Sequence, residues 1–154
     1  MYPIVHSTAG ILIAKQTASI PLAFFLALIF HFVLDFFPHD CESLDTWMKK
    51  DNNKIKKYFY IALADFILII IMAAILFLTL DFPNPYVILA GIVGGYLPDF
   101  LWGVHKVTKW KFLKPYCKFH SWVHNIWQAK LKTYQMVIIQ IGLLAFFLWA
   151  IIKL

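Results

Sequence analysis

An all-α integral membrane helical bundle is the fold class this sequence predicts, on three observations. Of its 154 residues, 62% are hydrophobic and only 14% charged, too apolar a mixture for a soluble domain of that length. Four stretches, Ile20 to Phe37, Tyr58 to Leu80, Tyr86 to Val104 and Thr133 to Ile152, are long enough to cross a hydrocarbon core of about 30 Å at about 1.5 Å per residue. The basic residues, every one a Lys, collect mainly between these stretches instead of inside them. No internal repeat and no low-complexity linker divides the chain, so residues 1–154 read as a single transmembrane helical domain, with four full spans and a short helix ahead of them.

The leading stretch, Ile4 to Ala18, is shorter than a span and carries Ser, Thr and Lys, which suits a short or re-entrant helix. It lacks the basic start of a cleaved signal peptide, and His6 interrupts its apolar opening. The first full span follows a turn near Ser19 to Pro21. It stops before Pro38, which disfavours helix at Phe37 and has no N–H to give to the carbonyl of Leu34. Lys49, Lys50, Lys54, Lys56 and Lys57 come next, and Lys106, Lys109, Lys111, Lys114, Lys118, Lys130 and Lys132 follow the third span. The positive-inside bias places both segments in the cytoplasm. Between the second and third spans, DFPNPY (81 to 86) combines prolines with an absence of Lys, as expected of a tight turn on the opposite side. Lys-rich loops facing anionic lipid heads account for the formal charge of +6, and no nucleic acid is needed to explain it.

On this map the polar residues converge. If the N-terminus is cytoplasmic, the first helix runs outward and the next returns, bringing His6 to the level of His31 and Asp35. Asp65 lies about two turns into the second span, Asp99 near the inner end of the third, and His120 and His124 in the second cytoplasmic segment. Positions four apart share a helix face, so His31 pairs with Asp35 and His120 with His124. Two imidazoles at that spacing can serve one ion, as they do in helical zinc sites. His39 and Asp40 fall on the turn just past Pro38, within reach of Asp35. GGYLPDFLWG (94 to 103) sets Gly94, Gly95 and Gly103 around Pro98 and Asp99, a composition that suits close backbone approach and an interrupted helix lining a buried cavity.

Simpler roles cover the remaining polar groups. His105 reads as a hydrogen-bonded interfacial side chain, Asp40, Glu42, Asp45 and Asp51 as helix caps or Lys partners, and the aromatic stripes as lipid-facing or packing surface. Cys41 and Cys117 both lie on the cytoplasmic side, where disulfides are disfavoured; each stands near a His, so thiolate ligand and free thiol both remain open. No P-loop, dinucleotide glycine motif, G-x-S-x-G or C-x-x-C occurs. Carboxylates are costly at membrane depth and are found there mainly for function, so Asp35, Asp65 and Asp99 on the side that also holds the His residues point to a shared metal or catalytic site.

HSTAG (6 to 10), the H-x-x-x-D-x-x-P-H element of HFVLDFFPHD, GYLPD (95 to 99) and FHSWVH (119 to 124), in that order, resemble small bacterial inner-membrane proteins named as membrane-bound metal-dependent hydrolases. The resemblance runs from His6 to His124. It implies a multi-pass protein of the inner membrane with hydrolase activity. The first His-Asp element is also similar to one in zinc-dependent phospholipase C enzymes, whose helical sites hold zinc through His and Asp. The last element departs from the hydrolase pattern H-R-G-x-T-H, reading HSWVH here.

Imidazoles with carboxylates suit a divalent metal, Zn²⁺ first, with Mn²⁺ or Fe²⁺ as alternatives. The expected ligands are His31, Asp35, His120 and His124, then His6, His39 and Asp99; Asp35 or Asp99 is the expected catalytic base if it does not bind the ion. A site at headgroup level flanked by Lys favours membrane lipid as partner and a phospholipid or polyprenyl-phosphate ester as substrate. The competing reading is a non-catalytic membrane protein with a structural or sensory metal site. A transporter would need polar residues continuing to the outer side, where the last span offers only Gln135 and Gln140.

Overall fold

The computed structural model describes residues 2–37, 54–127 and 131–154. These form six α-helices: α1 (Pro3–Lys15), α2 (Ile20–Phe36), α3 (Lys54–Thr79), α4 (Pro85–Thr108), α5 (Lys114–Asn125) and α6 (Thr133–Lys153), with a 3₁₀ turn at Lys111–Leu113 before α5. No strand occurs among the described residues. Three helices are long and apolar enough to cross a membrane, Phe59–Thr79, Pro85–Thr108 and Tyr134–Lys153, and Ile20–Phe36 adds a shorter apolar one.

Local sequence sets the helix ends. Ser19 caps α2, its hydroxyl accepting from the Leu22 N–H at 3.4 Å, and Pro21 occupies the first turn, where a missing N–H costs nothing. At the other end Phe37 is extended (φ −71°, ψ 145°), the conformation that a following proline imposes, so α2 stops at 17 residues or about 25 Å, short of the full span expected of it. Asn84 caps α4 with its side chain on the Tyr86 N–H at 3.0 Å, and the DFPNPY connection forms the expected tight link between α3 and α4. The helix does not break at Pro98, contrary to expectation: α4 continues from Pro85 to Thr108 with Pro98 inside it. Proline is tolerated inside helices at membrane depth when the neighbouring elements re-satisfy the freed backbone.

The short α1 is the axle of the bundle. It packs against α2, α3, α4 and α6, and every residue from Val5 to Ile11 is buried. A helix enclosed on all sides has no polar face to spare, so its composition is small and mixed instead of amphipathic. Gly10 lies against Gly91 so closely that a Cβ on either would strike the other's carbonyl oxygen, and a Cβ on Gly95 would strike the carbonyl of His6. Without water to drive apolar association, membrane helices gain from such backbone approach between small residues. Hydrogen bonds fix the axial register of α1 on α6: the Tyr2 N–H donates to Gln140 Oε1 at 2.7 Å and Lys15 Nζ to the Ile151 carbonyl at 2.6 Å, so the two helices run parallel. Ile11, Ala14, Ala23, Ile69, Met72, Leu76, Val87, Ile88, Ile92 and Ile151 fill one core, while Val5, Ala9, Leu34 and Phe147 fill a second. The outward faces of α3 and α6 expose Ile67, Ile71, Leu78, Ile138, Ile141 and Trp149, as lipid contact requires.

This arrangement makes a recess. The residue after Asp35 ends α2, but α4 continues past Asp99 to Thr108, about 14 Å further along its axis. The amphipathic α5, packed on both α2 and α4, covers that recess and turns His120 inward.

Candidate metal centre

Each side chain of the centre is delivered by a different local device. His6 comes from the first turns of α1, beside the bare backbone of Gly95. His31 and Asp35 are four apart on α2, Asp99 follows Pro98 on α4, and His120 and His124 are four apart on α5. His6, His31 and Asp35 are fully enclosed, and His120 is nearly so.

The imidazoles converge on two carboxylates. Asp35 Oδ2 lies 2.9 Å from His31 Nε2, 3.5 Å from His120 Nε2 and 2.9 Å from His124 Nε2, while its Oδ1 lies 3.1 Å from His6 Nε2. Asp99 Oδ1 is 3.4 Å from His120 Nε2 and 3.9 Å from His31 Nε2, and its Oδ2 is 3.9 Å from His6 Nε2. The ring of His6 stacks on that of His31 with centroids 3.9 Å apart, and the His120 and His124 rings lie 4.6 Å apart.

Tautomers decide what such a cluster needs. His31 Nδ1 is 2.8 Å from the Gly95 carbonyl oxygen, which can only accept, so Nδ1 carries the proton. In the neutral ring Nε2 is then a bare lone pair. It points at a carboxylate oxygen 2.9 Å away and at His120 Nε2 3.5 Å away, and these contacts repel unless a proton or a cation stands between them. Asp99 Oδ2 and His120 Nδ1 are likewise buried without a hydrogen-bond partner among the described residues. A buried backbone carbonyl that orients an imidazole by its far nitrogen is the usual outer support of a metal-bound His.

The donors fit a divalent ion. His31, Asp35, Asp99 and His120 each offer one atom, all within 4.8 Å of one another. With metal–donor distances near 2.1 Å, two ligands on a tetrahedral ion stand roughly 3.4 Å apart. The separations of 2.9, 3.4, 3.5 and 3.9 Å among these four side chains bracket that value. Mixed nitrogen and oxygen donors suit zinc, manganese or iron better than calcium.

Of the residues anticipated from sequence, His31, Asp35, Asp99 and His120 form the four-donor group, and His6 and His124 flank it through Asp35. His39 and Asp40 lie outside the described residues. Asp65, half-buried on α3, is not a member of the group. Cys117 is a buried free thiol that lines the neighbouring α4–α5 cleft, and Cys41 lies outside the described residues. His105 donates from Nδ1 to the Trp110 carbonyl at 3.0 Å, the structural role expected of it.

Gly95, expected from sequence to allow close backbone approach, lies against the His6 carbonyl and also supplies the carbonyl that orients His31. One contributor escaped sequence reasoning. Tyr116, one turn before His120, donates its hydroxyl to the Pro98 carbonyl at 2.7 Å and ties α5 to α4 beside Asp99. Burial and the charge of Asp99 hold its phenol above the ordinary tyrosine range, so it remains a donor. Burial lowers His124 below the usual imidazole range, partly opposed by Asp35, and leaves that ring neutral at pH 7.

Access is graded. The side chains of His6, His31 and Asp35 have no exposed surface, whereas Asp99 is 17% and His124 21% exposed. Gly103, one turn beyond Asp99 toward the end of α4, has open space where its Cβ would stand. Comparisons with protein-family models, curated proteins and solved structures each returned no match to this chain.

Proposed function

We propose that this protein is a membrane-embedded metal-dependent hydrolase of the bacterial inner membrane, with zinc as its ion and a phospholipid or polyprenyl-phosphate ester as its substrate. The observation that carries this reading is the graded access: a metal-competent group sealed on the side of α1 and α2 and reachable at Asp99 and His124. A purely structural site has no use for an accessible side, whereas a catalytic one requires it.

Within the four-donor group, His31, Asp35 and His120 are the residues that would hold the ion, with His6 steadying Asp35 through its second oxygen and Asp99 left unbound beside them. A bound divalent ion supplies Lewis acidity: it draws the pKa of water toward neutrality and polarises a phosphoryl oxygen. Asp99 is the carboxylate with an accessible side chain, so proton transfer is assigned to it and charge anchoring to the enclosed Asp35. In the reaction, water oxygen bonds to phosphorus, the ester P–O bond breaks, and the proton accepted by Asp99 passes to the departing alkoxide.

Metal analysis of the purified protein and its His31→Ala variant, paired with a turnover assay over lipid phosphates and esters, tests the reading. Metal content that falls in the variant and metal-dependent release of product from a panel member are expected. Full metal occupancy with no turnover on any member would replace the hydrolase with a structural or sensory metal site. The cytoplasmic placement of the Lys-rich segments belongs to the same proposal. A Thr108→Cys probe in a Cys-free background should resist an impermeant thiol reagent in intact cells, and labelling there would invert the topology.

A further inference from the structure

A second site lies on the other side of α5. A cleft of about 400 Å³ between α4 and α5 is lined by Lys106, Lys109, Lys114 and Lys118 together with Trp102 and Ser121. Its lining follows one spacing on both helices: positions 102, 106 and 109 on or just past α4, and 114, 118 and 121 on α5, each fall three or four apart, so two basic faces oppose each other across one gap. No carboxylate is among the described residues that line it. Around the axis of α5 this face is turned by roughly 100° from the face that carries His120, so the cleft and the metal centre are neighbours with separate linings.

Lys109 gives an independent sign that the charge is wanted there. It ends α4 in the left-handed conformation, φ 57°, with its N–H on the His105 carbonyl at 2.9 Å, and it is the only non-glycine residue with positive φ among those described. That position favours glycine, because a Cβ is strained there. The chain instead carries an ammonium side chain on a strained residue and directs it into a cleft already holding other Lys. Lys106 lies over the Trp102 ring at 4.6 Å, which holds one cation against the cleft wall.

We propose that this cleft binds a dianionic phosphate, a monoester or the free ion, independently of the metal centre. The exposed aromatic residues beside it, Trp110 with Phe112 (centroids 5.4 Å) and Phe119 with Trp122 (6.0 Å), make an interfacial belt that puts the cleft at the level of lipid headgroups. A lipid phosphate is therefore the nearest source, and free phosphate supplies the same chemistry.

The test uses the full chain in detergent and native mass spectrometry, with short-chain phosphatidic acid, the matching phosphatidylcholine and inorganic phosphate as probes. Phosphatidic acid should occupy one saturable site. Lys109→Gly with Lys114→Gln and Lys118→Gln should weaken it by at least about tenfold, given that each Lys near a phosphate surface contributes on the order of a factor of five. Lys109→Gly removes backbone strain, so that variant alone should melt no lower than the parent while binding more weakly, which separates lost binding from lost folding. The control, Lys56→Gln with Lys153→Gln, removes charge from α3 and α6 and should change binding less than about twofold. Competition by inorganic phosphate at similar concentration would assign the site to free phosphate; none would assign it to a lipid headgroup, and both support a phosphate site. Equal losses in cleft and control variants, equal binding of phosphatidylcholine, or no saturable binding of phosphatidic acid or phosphate would overturn it. Because none of these residues belongs to the metal group, the outcome stands apart from the hydrolase assay.

Discussion

His31 and His124 stand at the same distance, 2.9 Å, from the same oxygen of Asp35, yet they belong to regions built on different physics. His31 is part of a floor: no side-chain exposure, a far nitrogen held by the Gly95 carbonyl, and a helix whose Phe24 backbone is pressed against Gly94 of α4. His124 is part of a rim: 21% exposed, on a helix joined to its neighbours by fewer contacts and by the Tyr116 hydrogen bond. The floor fixes donors before any ion arrives, which lowers the ordering cost of binding; the rim leaves approach open for something larger than an ion. One cluster thus joins enclosed, pre-positioned donors to a partly exposed side.

The comparison breaks most severely at Asp35. Its carboxylate is the point where imidazoles from α1, α2 and α5 meet, so Asp35→Asn keeps the size and removes the charge they share. We expect metal content to fall to background and hydrolysis to vanish, with membrane insertion intact. Retention of parental metal content and rate would remove Asp35 from the centre. His124→Ala, at the rim, should weaken metal binding by only about 10- to 100-fold, as loss of a supporting residue does. Elemental analysis across a chelator series ranks the two, and a His124 variant as empty as Asp35→Asn would erase the distinction between floor and rim.

Two glycines sharpen it further. Gly95→Ala drives a Cβ into the His6 carbonyl, and backbone cannot move aside as a side-chain tip can, so a loss of about 3 kcal/mol or more in stability is expected. Gly103→Ala meets nothing within 4 Å and gains the helix preference of alanine, about 0.5–1 kcal/mol. Thermal melting of the two variants side by side gives opposite signs if the packing is as described, and equal destabilisation would show that the rim is packed as tightly as the floor.

Part of this was legible in residues alone. Periodicity places His31 with Asp35 and His120 with His124, and the Pro at position 21 and the short leading helix suffice to fold His6 back to them. Depth could be read because the Lys clusters mark one side and the carboxylates fall near it. Sequence marked Gly94 and Gly95 for close backbone approach without showing what they touch, and it gave no sign of Gly10 against Gly91, a contact between two helices. Proline at 98 misled for a related reason, since its effect depends on what the neighbours do with the freed carbonyl. Tyr116 gave no periodic signal, because its partner is a main-chain oxygen on another helix.

That hydrogen bond carries the smallest expected effect on metal affinity and the finest test of the rim. The Tyr116 hydroxyl reaches the Pro98 carbonyl at 2.7 Å, part-buried, one residue from Asp99 and one turn from His120, so it registers α5 on α4 without touching a donor atom. Tyr116→Phe keeps the ring and deletes the donor, leaving a carbonyl that retains its second lone pair for other partners; about 1 kcal/mol of stability should go with it. Because α5 would sit less firmly, His120 and His124 lose some preorganisation while His6, His31 and Asp35 lose none. Metal affinity is then expected to drop only a few-fold, well short of the effect of His120→Ala. Melting temperature with and without added zinc separates the two contributions: a tether costs more in the metal-loaded protein than in the chelated one, where the rim donors have no ion to share. A loss of metal affinity as large as that of His120→Ala would make Tyr116 more than a tether, and an unchanged affinity and melting temperature would show that packing alone seats α5.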